Sequence, residues 1–396
     1  MPTSTARPSR RIRRLLTLDD FEGAARRHLP RPLFGYVSGY AERGQGGAAT
    51  TRAFEEIDFI PRALTDVSGR DLSVQLMGRR HALPFGIPPM GLSAAIAHDG
   101  DVALGRAAAA ADIPFVLSAS SLIPLERVAE EGQARWYQAY LPGEEERIET
   151  LVDRVAAAGY DTFVLTVDVP VAANRENNVR NGFDIPLKPS LSLAWQGVTH
   201  PRWLTGTAMR TMRRHGMPHF ENMDAFRGPP ILSRNLKRAI GKRDQLAWRH
   251  LELIRKRWTG RLVVKGIVAP EDALRAKESG ADGVILSNHG GRQLDGVVAP
   301  LRMLPKAREL VGEDFPVMLD SGIRRGTDVL KALALGADFV FVGRPFLYAA
   351  ALGGEAGVAH AISILTAEID RDLALLGVRR IDELGPHLLH DRGRPG

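Results

Sequence analysis

The sequence predicts an α/β fold, a (β/α)8 TIM barrel with an N-terminal helical cap and a long insertion after the fourth strand. Three observations carry this prediction. Eight short, β-branched-rich apolar runs alternate with segments of helical spacing, the signature of parallel strands joined by helices. The C-terminal end of every run carries a donor, an acceptor or a close-approach glycine, and in barrels that end holds the chemistry. The rival, an open doubly wound sheet, needs a glycine-rich turn after its first strand, whereas residues 88–93 read Pro-Pro-Met-Gly-Leu-Ser.

In chain order, Met1–Arg14 is basic and lacks the apolar core of a signal peptide. Residues 1–15 are expected to form a disordered basic tail, and residues 16–390 a single barrel domain. Leu16–Leu29 and Phe34–Phe59 read as helical pieces capping one end. The strands are then Leu83–Ile87, Pro114–Leu117, Arg135–Tyr140, Thr162–Val167, Arg261–Val264, Gly283–Leu286, Pro316–Leu319 and Phe339–Val342. Helical spacing marks Asp101–Ala111, Glu145–Ala158, Pro270–Ser279 and Gly326–Leu335 between them. The interval between the fourth and fifth strands is far longer than the others and places an insertion at about 177–240; such insertions are commonly functional.

Composition narrows the function. With 44% hydrophobic and 25% charged residues, the 396-residue chain has the make-up of a soluble globular protein. Zero cysteines exclude disulfides, thiolate metal sites and cysteine-held clusters, and suit a reducing, cytoplasmic setting. No metal site is expected. No apolar run is long enough to span a bilayer. The net charge of +7 suits anionic partners, but no nucleic-acid-binding module is present, so no nucleic-acid partner is expected.

The strand ends supply the candidate chemistry. His289, in Ser287–Asp295 (SNHGGRQLD), can move a proton near neutral pH, and Arg292 can clamp a carboxylate bidentately. Arg175 offers a second carboxylate contact, Tyr36 and Tyr140 offer hydroxyls, and Asp168 can orient His289 and stabilise its imidazolium. Lys265 ends the fifth strand, where it could balance a reduced flavin, form a Schiff base or snorkel out of the core. Gln138 and Thr166 suit the edge of a planar ring. Asp320-Ser321-Gly322-Ile323-Arg324 and Gly343-Arg344 end the last two strands, where barrels recurrently hold phosphate. That phosphate implies a nucleotide-like cofactor or a phosphorylated substrate.

These residues make the chain similar to the FMN-dependent α-hydroxy acid dehydrogenase/oxidase family over Leu16–Leu389. The strongest motifs are SNHGGRQLD, Asp320–Gly326 (DSGIRRG), Lys331–Ala337 (KALALGA) and Val342–Pro345 (VGRP); LTVDVP at Leu165–Pro170 and YVSGYAE at Tyr36–Glu42 are weaker. HPRW at His200–Trp203 and HGMP at His215–Pro218 resemble the mandelate dehydrogenase-like subgroup. The resemblance implies FMN as cofactor and oxidation of an (S)-2-hydroxy acid (lactate-, mandelate- or glycolate-like) to the 2-keto acid. It makes His289 the base, Asp168 its partner, Arg175 and Arg292 the carboxylate clamp, and Tyr36 and Tyr140 the substrate tyrosines. Pro89, Met90, Gly91, Ser118, Gln138, Thr166, Lys265 and Ser287 match contacts to the ring and ribityl chain. Asp320, Ser321, Gly322, Arg324, Gly343 and Arg344 match the phosphate end. Departures are Tyr40, Ala139, Met90 and Asn174, and Ser120 stands where some oxidases carry a pocket tryptophan.

Electrons then pass to an external acceptor, quinone or oxygen; Gly91 resembles the dehydrogenases, since alanine there is commoner in oxidases. Alternatives are an oxygen-using oxidase, an FMN-dependent isomerase and a non-enzymatic flavin-binding barrel. In the insertion, Leu204, Ala208, Met209 and Met212 share a helical face opposite Arg210, Arg213 and Arg214. That face either lies on an anionic membrane or packs on the barrel. The expectation is peripheral association with the inner membrane face and, by family analogy, a homotetramer.

Overall fold

The computed structural model describes residues 8–183, 191–233 and 242–392. Eight parallel strands, β1 (Phe85–Gly86), β2 (Val116–Ser118), β3 (Trp136–Ala139), β4 (Thr162–Thr166), β5 (Arg261–Ile267), β6 (Gly283–Leu286), β7 (Val317–Asp320) and β8 (Phe339–Phe341), form one sheet. Neighbours in sequence are neighbours in space from β2 to β8, and β8 pairs with β1. The Ile87–Phe115 bridge joins β1 to β2 and closes the barrel. The strands lie within a few residues of the predicted runs. All are buried along most of their length, so their sequence is a continuous apolar run rather than an alternation.

Period-2 geometry explains how such strands also build a site. Val116, Trp136, Val164, Val263, Ile285, Met318 and Phe341 pack together as the barrel's inner core. Two residues further along each strand, the next inward positions are Ser118, Gln138, Thr166, Lys265, Ser287, Asp320 and Gly343. A greasy layer therefore supports a polar one at the C-terminal mouth.

Helix α1 (Leu18–His28) starts at a capping box in which Thr17 accepts from the Asp20 amide and Asp20 accepts from the Thr17 amide. Its apolar face packs on the long C-terminal helix. Helices α2 (Arg31–Ser38) and α3 (Gln45–Glu55) follow. The predicted helical stretch to Phe59 is overturned at its end: Ile57–Phe59 is a strand paired antiparallel with Leu389–Asp391. Local pattern could not reveal a partner so distant along the chain. Ile12 is 4% exposed and its side chain sits against Gly353, so the packed chain begins within the segment expected to be a tail. Residues 1–7 lie outside the described residues.

In the insertion, α4 (Leu191–Thr199) precedes a helical stretch over residues 201–215. The last helix, α5 (Arg344–Leu376), is by length and composition able to cross a bilayer, contrary to the expectation of no such run. It is a core helix here, broken by non-helical backbone at Gly353 and Gly354.

Candidate active site

A cavity of about 240 Å³ opens at the C-terminal mouth. Its base is the polar layer. Lys265 is 3% exposed, and its Nζ donates to Ser287 Oγ at 2.8 Å and pairs with Asp320 Oδ2 at 2.6 Å. Ser118 Oγ donates to Gln138 Oε1 at 3.2 Å. Gln138 Nε2 and Thr166 Oγ1 are buried without a hydrogen-bond partner. Orphaned buried donors are costly, so this base is built to meet a polar ligand lying on it. Neutral donors beside a lysine fit the carbonyl-bearing edge of the expected flavin.

The turn after β6 places the imidazole. His289 has φ 57°, followed by Gly290 at 65° and Gly291 at 74°. A histidine in this left-handed region costs about 1 kcal/mol or more and must be held. Ser287 Oγ accepts from the His289 amide at 3.0 Å, and Ser321 Oγ accepts from the Gly290 amide at 3.0 Å. Gly291 is required, because a Cβ there would lie 2.5 Å from the Gly47 nitrogen.

His289 Nδ1 lies 3.0 and 3.1 Å from the two oxygens of Asp168. Its Nε2 lies 3.4 Å from the Tyr140 hydroxyl. Burial pushes the Asp168 carboxyl up, but the adjacent His289, its hydrogen bond and Lys265 together hold it below its ordinary value. Asp168 is thus an anion aimed at the far nitrogen of a ring whose near nitrogen faces the cavity. Its stabilising contribution is complete above about pH 3.8 and is lost as pH falls through the lower folded value. Asp168→Asn should therefore flatten the acid limb of stability in thermal melts below pH 4. It should also slow substrate-driven flavin reduction about 100-fold, measured by anaerobic stopped flow. An unchanged rate would remove Asp168 from the acid–base pair.

Two guanidinium groups face the same cavity. Arg292 Nη1 donates to the Val37 and Gly39 carbonyls at 3.1 and 2.7 Å, and its Cζ lies 5.2 Å from the Tyr36 ring centroid. Arg175 Nε donates to the Arg292 carbonyl at 2.9 Å, and its Nη2 to Gln293 Oε1. Among the described residues neither has a carboxylate partner. Burial, then the neighbouring Arg175 and Arg344, lower Arg292 to about 9. A half-buried cation pair with no carboxylate partner among the described residues is suited to an anion.

Arg344 also donates to the carbonyls of Val37 (3.1 Å), Gly39 (3.2 Å) and Gly290 (2.9 Å) and stacks on Tyr40 at 4.6 Å. Arg292 and Arg344 together cap the C-terminus of α2, where carbonyls concentrate negative partial charge. That tie holds Tyr36 over the mouth. Arg344, expected at the phosphate end, therefore braces the cap as well as lining the cavity. Ser321 (φ 82°) and Gly322 (φ 87°) turn the chain after β7. A Cβ on Gly322 would lie 2.7 Å from Thr50 Cγ2. With Arg324 and the N-terminus of α5 at Gly343, this end has the character of an anion cradle.

Pro89, Met90 and Gly91 form one wall. A Cβ on Gly91 would lie 2.8 Å from Ser120 Cβ and 3.3 Å from the Tyr36 hydroxyl, so glycine leaves that contact as close as it can be. Every predicted site residue thus lies at this end of the barrel: Ser118, Gln138, Thr166 and Ser287 buried in its base, Asp168 behind His289, the rest lining it. One residue was missed. Arg243 lines the cavity, its Cζ 4.7 Å from the Tyr140 ring centroid. It follows the insertion in a short turn with no motif to mark it.

In the insertion, Trp203, Thr207 and Thr211 face inward, with Trp203 Nε1 donating to the Ala95 carbonyl at 3.0 Å. Leu204, Ala208 and Met212 line an apolar cleft of about 470 Å³, and Met209 is exposed. The predicted face is therefore split between cleft and solvent. More exposed still is a stripe on α4, Leu191, Trp195 and Val198, at 91%, 67% and 63% exposure.

Comparison with known proteins gives a consistent picture. Residues 25–391 match the family described as FMN-dependent dehydrogenase. The chain is 39% identical over 383 residues to (S)-mandelate dehydrogenase of Pseudomonas putida, covering 96% of this chain and 95% of that protein. It is 38% identical over 374 residues to L-lactate dehydrogenase of Ectopseudomonas mendocina (strain ymp), covering 93% and 97%. A crystal structure of (S)-mandelate dehydrogenase, described as a monotopic membrane protein, matches with a TM-score of 0.88 at 38% identity, covering 96% of this chain and 100% of that one. A mandelate oxidase structure matches with a TM-score of 0.78 at 32% identity, covering 95% and 98%.

Proposed function

Since the chain belongs to the FMN-dependent dehydrogenase family, we propose that it oxidises an (S)-2-hydroxy acid to the 2-keto acid and passes the electrons to quinone. The single observation that carries the substrate class is the meeting of a carboxylate-backed imidazole with two unpaired guanidinium groups at one barrel mouth. Arg175 and Arg292 hold the carboxylate. Tyr36 and Tyr140 orient the hydroxyl; burial raises the Tyr140 phenol well above its ordinary value, so it stays protonated and can donate. His289 Nε2 takes the proton, and Asp168 stabilises the imidazolium that results. The alcohol loses two electrons and two hydrogens; FMN, when bound, would supply the acceptor for the electron pair and for the hydrogen that His289 does not take. Lys265 and the Gln138 and Thr166 donors would hold its ring, and Ser321 to Arg324 with Gly343 and Arg344 its phosphate. The unit that does this is one barrel domain, expected over residues 16–390 and packed at its start by Ile12, carrying the 177–240 insertion.

The test is an anaerobic titration of the yellow holoenzyme with L-lactate, (S)-mandelate and glycolate. Bleaching by at least one 2-hydroxy acid is expected; bleaching by none of these three, nor by L-malate or (S)-2-hydroxyglutarate, would refute the reading. Timed reoxidation by air against a short-chain quinone then assigns the acceptor: oxygen the faster would make the protein an oxidase.

The insertion is proposed to hold the enzyme on an anionic membrane, as a peripheral protein of the cytoplasmic face. The α4 stripe supplies apolar area, and exposed Arg210, Arg213 and Arg214 supply charge. Replacing Leu191 and Trp195 by Ser removes two large apolar contacts, each worth about 1.5–3 kcal/mol when buried. Flotation with anionic vesicles should fall about a hundredfold in apparent affinity. Equal flotation would overturn membrane docking through this stripe. A homotetramer, by family analogy, completes the proposal and is read by analytical ultracentrifugation.

A further inference from the structure

We infer that Arg243 selects a 2-hydroxy acid carrying a second acidic group, with 2-hydroxydicarboxylates as the class; this rests on the reading above that a 2-hydroxy acid is the substrate. Arg243 opens the turn Arg243–Gln245, where the chain re-enters the barrel ahead of β5. It lines the cavity that holds His289, Arg175 and Arg292. It also faces a second cavity of about 460 Å³ that shares Tyr140 and Val169 with the first. Its guanidinium covers one face of the Tyr140 ring, and the Tyr140 hydroxyl lies beside the imidazole. The group is therefore one side chain away from the reacting centre.

Among the described residues no carboxylate pairs with Arg243, and burial lowers its affinity for a proton, with only Tyr140 working against that. The protein pairs its other partly buried arginines outside the mouth: Arg127 with Asp99, Arg147 with Asp224, Arg154 with Glu126 and Arg308 with Asp338. Among the described residues, the partly buried arginines that lack a carboxylate partner cluster here. Arg175 and Arg292 answer to the carboxylate next to the reacting carbon, and Arg324 and Arg344 to a phosphate. Arg243 is left over, stacked on the Tyr140 ring whose hydroxyl lies beside His289.

A monoanion leaves this desolvated guanidinium unanswered, whereas a dianion neutralises it through a charge-assisted, two-pronged hydrogen bond. Ser120 lines the same cavity, packed against Gly91.

The experiment compares kcat/KM of the holoenzyme for L-malate and (S)-2-hydroxyglutarate with that for L-lactate and (S)-mandelate. It uses wild type, Arg243→Met and Arg243→Lys, with calorimetric titration of succinate and propionate as non-oxidised probes. The wild type should favour at least one dicarboxylate about tenfold or more. Arg243→Met should lower the dicarboxylate-to-lactate ratio about 10–100-fold and weaken succinate more than propionate, with Arg243→Lys retaining most of the ratio. Lactate or mandelate preferred over both dicarboxylates, or an equal loss on all substrates in Arg243→Met, would overturn the inference and leave a residue that only props Tyr140. Bleaching by none of the four acids would overturn the underlying reaction as well, which separates the two failures.

Discussion

Replacing His289 by Ala should leave the protein yellow with bound FMN while slowing anaerobic flavin reduction by its substrate about 10³–10⁴-fold, at the upper end of what a positioned base contributes. Cofactor retention is expected because His289 makes no contact with the polar layer through its side chain. The ring bonds outward, to Asp168 and Tyr140, and only its backbone amide reaches Ser287. The loss should fall on the chemical step, because Arg175 and Arg292, the proposed carboxylate clamp, are left in place. Affinity for a non-oxidised carboxylate should therefore change far less than the reduction rate. Ready bleaching of the Ala variant would remove His289 from its role. Loss of flavin would instead show that the left-handed turn, relieved of its histidine, no longer holds the mouth.

Lys265→Met should be the most destabilising change at the site. The Lys265–Asp320 pair is nearly solvent-free, with side chains 4% and 9% exposed. Among the described residues, removing the cation leaves Asp320 with the Ser321 hydroxyl at 2.9 Å as its one side-chain donor. Stranding a buried charge in this way costs about 3–5 kcal/mol, whereas removing both charges is far milder. A lowered urea midpoint is the first readout. FMN affinity should fall with it, and flavin reduction should slow about 100-fold or more, because the proposed role of the cation is to offset charge developing on the ring. Lys265→Met combined with Asp320→Asn should restore much of the stability without restoring reduction. Recovery of both would reduce Lys265 to a structural counter-ion.

The legibility of this site in the sequence has a physical origin. A parallel barrel strand is buried on both faces, so a polar residue near its end is conspicuous, and strand alternation sends each such residue to the same layer. Ser118, Gln138, Thr166, Lys265, Ser287, Asp320 and Gly343 could therefore be read from position alone. His289 and Asp168 could be paired because both follow strand ends at the same mouth. The run of glycines after His289 announced a turn that no helix or strand would tolerate.

Other features depend on contacts between segments remote in the chain. The pairing of Ile57–Phe59 with Leu389–Asp391, and the capping of α2 by Arg292 and Arg344, join residues hundreds of positions apart. Arg243 gained its place only when the insertion returned the chain to the barrel beside Tyr140. Whether an apolar face in the insertion meets cleft or solvent depended on which neighbours reached it, not on its own spacing. Hydrophobic period and strand-end chemistry are local properties and survive in one dimension. Burial of a charge, and the absence of a partner for it, exist only once the whole chain has closed around it.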